Sequence, residues 1–300
     1  MSNVDRRAFL GATAALAAGA AAPAAVRAAD TKPATKPLPG KTPNTRFAVN
    51  IEMWWSKVPF LERFDRAAEL GFPAVELWPW RGRDVDAIAK KSRQLGLEIA
   101  QFTAWPFEPG MNDPANHERV VAEIEASCQT AKKLNCRKMT VVGGNDQPGM
   151  TQAQMHANII TALKRVAPIA EKHEVMLILE PMNIRVDHKG HCLYGSPDPV
   201  RICREVNSPF VKINWDLYHM QITEGDLCGR LRDGFDQVGY LQLADHPGRH
   251  EPGTGEIHYN RVLKQAHDLG YRDYVGLECV PIGDERAAAE AVAAADVWER

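Results

Sequence analysis

No two cysteines in the sequence are spaced as CxxC. Cys128, Cys136, Cys192, Cys203, Cys228 and Cys279 stand singly, which excludes a zinc ribbon or a paired redox dithiol and offers no disulfide framework. Excess positive charge is lacking too: the formal charge is −2, which argues against a surface built for nucleic acid. Beyond the first 30 residues no segment is apolar for long enough to span a membrane. Nor does a glycine-rich phosphate loop follow the first apolar run of the body, as a doubly wound dinucleotide fold would require.

The amino terminus is set apart by its composition. Arg6 and Arg7, then Phe9-Leu10, then an Ala-rich stretch ending near Val26-Arg27-Ala28 read as an export signal over residues 1–28. Gly19 and Pro23 argue against the rival reading as a buried Ala-rich helix, and the twin arginine makes the signal Tat-type, implying a periplasmic or secreted protein. Such a protein folds before export, in a reducing compartment, so the cysteines are expected to be buried thiols. Residues 29–45, with Pro33, Pro37, Pro39 and Pro43, show no apolar periodicity and are expected to form a flexible tether, leaving residues 46–300 as the folded body.

In that body short apolar runs alternate with longer amphipathic stretches, the pattern of a parallel sheet with crossover helices. Strands are expected at 47–51, 74–77, 97–102, 138–142, 175–179, 211–215, 239–244 and 274–277. Helices are expected near 59–70, 84–95, 114–134, 151–173, 197–206, 226–233, 259–269 and 285–299. Leu70-Gly71, Leu95-Gly96, Leu134-Asn135 and Leu269-Gly270 each place a residue tolerant of positive φ where a helix should stop. The repeated joint predicts a single-domain α/β protein, a (β/α)8 TIM barrel.

In such barrels chemistry collects at the C-terminal ends of the strands. Val175 to Leu179 leads into Glu180, Val211 to Trp215 into Asp216, while Gln242 and Glu278 close the seventh and eighth runs. Intervals of 36, 26 and 36 residues supply one residue from each of four successive βα units. Crowded carboxylates repel unless a cation neutralises them, and an all-oxygen set suits a divalent metal ion of the hard kind, Mg2+ or Mn2+. The plainer alternative is four unrelated caps and ion pairs around the rim. His219 follows Asp216 closely, and the run Asp245 to Glu256 carries Arg249 and His250, expected to bind substrate by gripping a carboxylate or hydroxyls, with three glycines that would let backbone approach a ligand. Trp54, Trp55, Trp78, Trp80 and Trp105 follow the first three strands and are candidates for one wall of a pocket.

Leu179-Glu-Pro-Met-Asn183, Trp215-Asp-Leu-Tyr-His-Met-Gln221, Leu241-Gln-Leu-Ala-Asp245 and Pro247 through Ile257 resemble the hydroxypyruvate isomerase family, one of the xylose-isomerase-like TIM barrels. The likeness extends to Arg46 through Asn50 and Val58 through Phe64. It implies a metal held at Glu180, Asp216, Gln242 and Glu278, with both glutamates as catalytic proton donor and acceptor, and His219 and Arg249 binding substrate. Glutamine at position 242 sides with this branch, since related ketose 3-epimerases carry histidine there. The export signal, Trp54-Trp55, Trp78-Pro-Trp80 and Asp245-His246 depart from the family pattern.

The resemblance implies aldose-ketose isomerisation of a small hydroxy-oxo acid, hydroxypyruvate to tartronate semialdehyde, through an enediolate. Alternatives are 2-oxo-tetronate isomerisation, ketose or sugar epimerisation, and an exported carbohydrate-binding paralogue without turnover. The partner is a small molecule, neither nucleic acid nor, once the signal is removed, a membrane; the sequence leaves oligomerisation open.

Overall fold

The computed structural model describes residues 37–298; the export signal and residues 29–36 of the tether lie outside them. From β1 (Arg46–Asn50) the chain alternates through α1 (Phe60–Leu70), β2 (Ala74–Leu77), α2 (Val85–Leu95), β3 (Glu98–Trp105), α3 (His117–Leu134) and β4 (Lys138–Val142). It continues through α4 (Gln152–His173), β5 (Met176–Glu180), α5 (Pro197–Val206), β6 (Val211–Asp216), α6 (Leu217–Thr223), α7 (Leu227–Gly234), β7 (Val238–Leu243), α8 (Tyr259–Asp268), β8 (Tyr274–Leu277) and α9 (Glu285–Ala295). The eight strands follow one another in chain order and close on themselves as a parallel barrel, with Phe47 of β1 in register with Val275 of β8.

Local chemistry explains the joints. Gly71 and Gly96 end α1 and α2 in the left-handed region, at φ 84° and 66°, and their backbone N–H groups bond back to the last helical carbonyls. Asn135, Glu174 and Asn207 do the same for α3, α4 and α5 without glycine. The Thr151 hydroxyl accepts from the Gln154 N–H while the Gln154 side chain accepts from the Thr151 N–H, closing a capping box at the start of α4. Most of the core lies between strands and helices, while Ala48, Ala74, Ala100, Ile178, Tyr240 and Tyr274 form a smaller cluster, small side chains beside two large rings.

Three expectations change. The tether is not free up to residue 45: the Gly40 N–H donates to the Leu70 carbonyl at 2.9 Å, and the Asn44 and Thr45 N–H groups donate to the buried Asp296 carboxylate at 2.8 and 3.1 Å. The last helix ends at Ala295 rather than 299, with the Asp296 N–H bonded back to the Ala293 carbonyl. A helix not foreseen, α6, follows β6 directly. The cysteines are all free, and all are buried except the half-buried Cys228. Among the described residues no helix is long and apolar enough to cross a membrane.

Candidate active site

Glu180 and Asp216 are the last residues of β5 and β6, Gln242 lies in β7 in register with Asp216, and Glu278 follows β8 immediately. All four are buried. One carboxylate oxygen each from Glu180, Asp216 and Glu278, with one ring nitrogen of His219, fall within 4.8 Å of one another. Burial, then the charges of Glu278 and Asp216, push Glu180 well above the ordinary carboxylate range. Burial raises Asp216 and Glu278 as well, against the opposing pull of Arg249.

Asp216 divides its two oxygens. Oδ1 accepts from the Tyr218 and His219 N–H groups at 2.7 and 3.4 Å and so caps α6. Oδ2 is buried without a partner, and so is Nε2 of His219, 3.6 Å away. Unpaired buried polar atoms of this kind are costly. A divalent cation answers both the orphan and the crowding of charge, so the residues fit the metal that the sequence pattern implies.

The tautomer of His219 can be derived from its neighbours. Asn183 Oδ1 accepts from the Val186 and Asp187 N–H groups at 3.0 and 3.1 Å, which fixes its oxygen. Its Nδ2 therefore donates, to Asp187 at 2.6 Å and to Nδ1 of His219 at 2.7 Å. Burial holds His219 well below its ordinary pKa, hence neutral, with its single proton on Nε2. The ring thus presents a donor to the cluster instead of a metal-ligating lone pair, which leaves the carboxylates of Glu180, Asp216 and Glu278 as the groups of this cluster that could hold a cation.

Arg249 sits at φ 59° in the loop between β7 and α8. It donates to Glu278 Oε2 at 2.9 Å, lies 5.1 Å over the Tyr218 ring, and buries an unpartnered Nε. Asp245 shapes that loop: its carboxylate accepts from the N–H groups of His246, Gly253 and Ile257 at 2.9, 2.9 and 3.0 Å. Gly255 serves the loop's own packing rather than a ligand, since a Cβ there would collide with the His246 carbonyl. His250, expected to bind substrate, does not line the cavity; its Nδ1 bonds the Val280 carbonyl at 2.6 Å. The ring anchors the loop to the segment after β8.

The cavity at the mouth holds about 340 Å³, with Glu180, His219, Gln242, Arg249 and Glu278 on one side. Trp78, Pro79, Pro106, Phe107, Val142 and Met182 supply an apolar surface. Of the five tryptophans expected in this wall only Trp78 lines it, donating from Nε1 to Glu278 Oε1 at 2.9 Å. Trp54, Trp55 and Trp105 are core residues, and Trp80 turns to Ser127. Sequence reasoning missed Glu76, wholly buried in β2, and the tautomer-setting role of Asn183. A lone carboxylate inside the apolar run Ala74-Val-Glu-Leu77 was the available signal for the first.

The family model for xylose isomerase-like TIM barrels matches residues 64–298. A hydroxypyruvate isomerase of Escherichia coli (strain K12) is 31% identical over 242 residues, spanning 79% of this chain and 93% of that one. A 2-oxo-tetronate isomerase of Cupriavidus necator is 31% identical over 243 residues, with the same coverage of 79% and 93%. A solved structure described as an AP endonuclease, family 2, from Brucella melitensis superposes with a TM-score of 0.77 at 29% identity, covering 81% of this chain and 96% of that one.

Proposed function

The chain belongs to the xylose isomerase-like TIM barrel family and is an isomerase, and from that premise we propose that it interconverts the carbonyl and hydroxyl carbons of a small hydroxy-oxo acid, hydroxypyruvate to tartronate semialdehyde in type. The observation that carries the reading is the gathering of Glu180 and Glu278 with Asp216 into one buried cluster at the barrel mouth. Isomerisation needs a base to take the proton α to a carbonyl and an acid to return it to the neighbouring carbon. Glu180 and Glu278 are the pair, one on each side of the bound substrate. Trp78 and Arg249 hold the two oxygens of Glu278 in place. Glu180, Asp216, Gln242 and Glu278 would hold a divalent ion, Mg2+ or Mn2+, which would supply electrostatic stabilisation of the negative charge that develops on the substrate oxygens. His219 donates from Nε2 to a substrate oxygen, and Arg249, with its spare Nε, pairs the substrate carboxylate.

The cavity favours a second reading of the same chemistry. At about 340 Å³ it has room beside Trp78 and Phe107 for a substrate larger than a three-carbon acid, a 2-oxo-tetronate or a ketose. A nuclease finds less support, because Arg249 is the single Arg or Lys lining the cavity, too few for a phosphate backbone. The test is conversion of hydroxypyruvate, tartronate semialdehyde, 2-oxo-tetronates and ketoses by purified protein with Mn2+ or Mg2+ and then with EDTA. The reading expects turnover that EDTA abolishes; turnover of none of them, with metal bound, defeats it. Export through the twin-arginine route is inferred from residues 6–28; replacing Arg6 and Arg7 by Lys should retain the protein in the cytoplasm, and unchanged export would reject it.

A further inference from the structure

Glu76 sits inside the barrel with no solvent exposure, and its carboxylate is held from two strands. Asn50 Nδ2 of β1 donates to Oε1 at 3.0 Å, Gln242 Nε2 of β7 donates to the same oxygen at 2.9 Å, and the Tyr240 hydroxyl of β7 donates to Oε2 at 2.8 Å. β8 lies along this crossing and makes room for it: a Cβ at Gly276 would collide with the Glu76 carboxylate and meet Gln242 Cγ at 2.9 Å. A buried carboxyl with three donors and a glycine kept clear for it is a built feature. None of its partners is a charged group, so it is not an ion pair for stability.

Its effect falls on Gln242. A primary amide has an oxygen end and a nitrogen end of nearly equal shape, and only the oxygen can ligate a hard cation. Asn50 Oδ1 accepts from the Glu52 and Met53 N–H groups, so its Nδ2 donates to Oε1 of Glu76 and makes that oxygen the acceptor end of the carboxyl, with any proton on Oε2 beside Tyr240; the Gln242 nitrogen therefore faces Glu76. The oxygen then faces the other way, toward β6, where it accepts from Asn214 Nδ2 at 2.5 Å and keeps a second lone pair. β6 is the strand that ends in Asp216, in register with Gln242. We propose that Glu76 is a positioning residue that turns the Gln242 amide so that its oxygen, not its nitrogen, is presented to the metal-binding cluster. The arrangement is the amide counterpart of the carboxylates that orient metal-ligating histidines. The inference rests on the metal-binding reading given above.

The test is Mn2+ affinity, followed by electron paramagnetic resonance, in a double-mutant cycle of Glu76→Gln and Gln242→Met. Glu76→Gln keeps the shape of the side chain but offers Gln242 a nitrogen as well as an oxygen, so the amide is no longer fixed. Affinity should fall about 10- to 100-fold in the wild-type background. With Gln242→Met already present, Glu76→Gln should cost no more than about two-fold, because no amide remains to orient. Equal losses in both backgrounds, or no loss in either, overturn the proposal while leaving the metal reading intact; a wild-type protein that binds no Mn2+ overturns both. Should Glu76→Gln fail to fold, the wild type itself decides. The Gln242 side-chain N–H signals, assigned by their loss in Gln242→Met, should persist in D2O and should shift, without being lost, when Mg2+ is added and the amide oxygen is polarised. Rapid exchange would show an amide free to turn and would reject the proposal.

Discussion

Planar side chains with two unlike ends set the chemistry at the mouth of this barrel. Asn183 cannot turn, because two backbone N–H groups hold its oxygen, and so it dictates which nitrogen of His219 carries the proton. Exchanging the pair, Asn183→Asp with Asp187→Asn, keeps their mutual bond but makes position 183 an acceptor toward His219. The ring should then carry its proton on Nδ1, visible in 15N imidazole shifts, and kcat should fall about 100-fold. Unchanged shifts would reject the derived tautomer. At this scale the sequence was readable where a carboxylate ends an apolar run, as at Glu180 and Asp216, because strand periodicity alone brings those side chains to the mouth. Glu76 and Asn183 were not, since their roles exist only through contacts across the barrel or between loops. The mouth expected of five tryptophans reduces to Trp78 for the same reason: loop direction, not proximity in sequence, decides what faces the cavity.

Among the elements, α6 and the loop after β7 do most to place functional groups. Residues 217–223 are too short to show helical periodicity, and Asp216 hid a second role, capping this helix with one oxygen while the other faces the cluster. The strands and long helices were legible to within a few residues, because their apolar periods and their left-handed stops are local properties. The loop of residues 245–256 read as a ligand-gripping glycine loop, yet it is organised by Asp245 from within. Asp245→Ala leaves three loop N–H groups without an acceptor, at about 1–3 kcal/mol for each that stays buried. It should lower the melting temperature and, by releasing Arg249, raise KM more than it lowers kcat. A variant with wild-type KM would show that the loop does not depend on that carboxylate.

For the whole molecule, the charge gathered in the barrel ties stability to pH and to metal. Burial raises Glu180, Asp216 and Glu278 in the folded protein, and raises Glu76 from about 4.5 to about 7. The folded form therefore holds protons that the unfolded chain releases, so this contribution is complete below the ordinary carboxylate range and is lost as pH rises toward neutrality. EDTA-treated protein should melt at a higher temperature near pH 5 than near pH 8, and Mn2+ should stabilise more at the higher pH, where it does not compete with protons. Glu180→Gln should flatten that dependence. A metal-free melting temperature that rises from pH 5 to pH 8 would contradict this balance. Family membership made the chain an isomerase where composition and spacing had supported only a hard-metal site.

The central claim is that Glu180 and Glu278 move the substrate proton between neighbouring carbons. Its most direct test is deuterium incorporation from D2O into the converted substrate by the Mn2+-loaded wild type, Glu180→Gln and Glu278→Gln. Incorporation should keep pace with turnover in the wild type and be lost, by about 100-fold or more, in each variant that still binds metal. Exchange at the wild-type rate in both variants would contradict it.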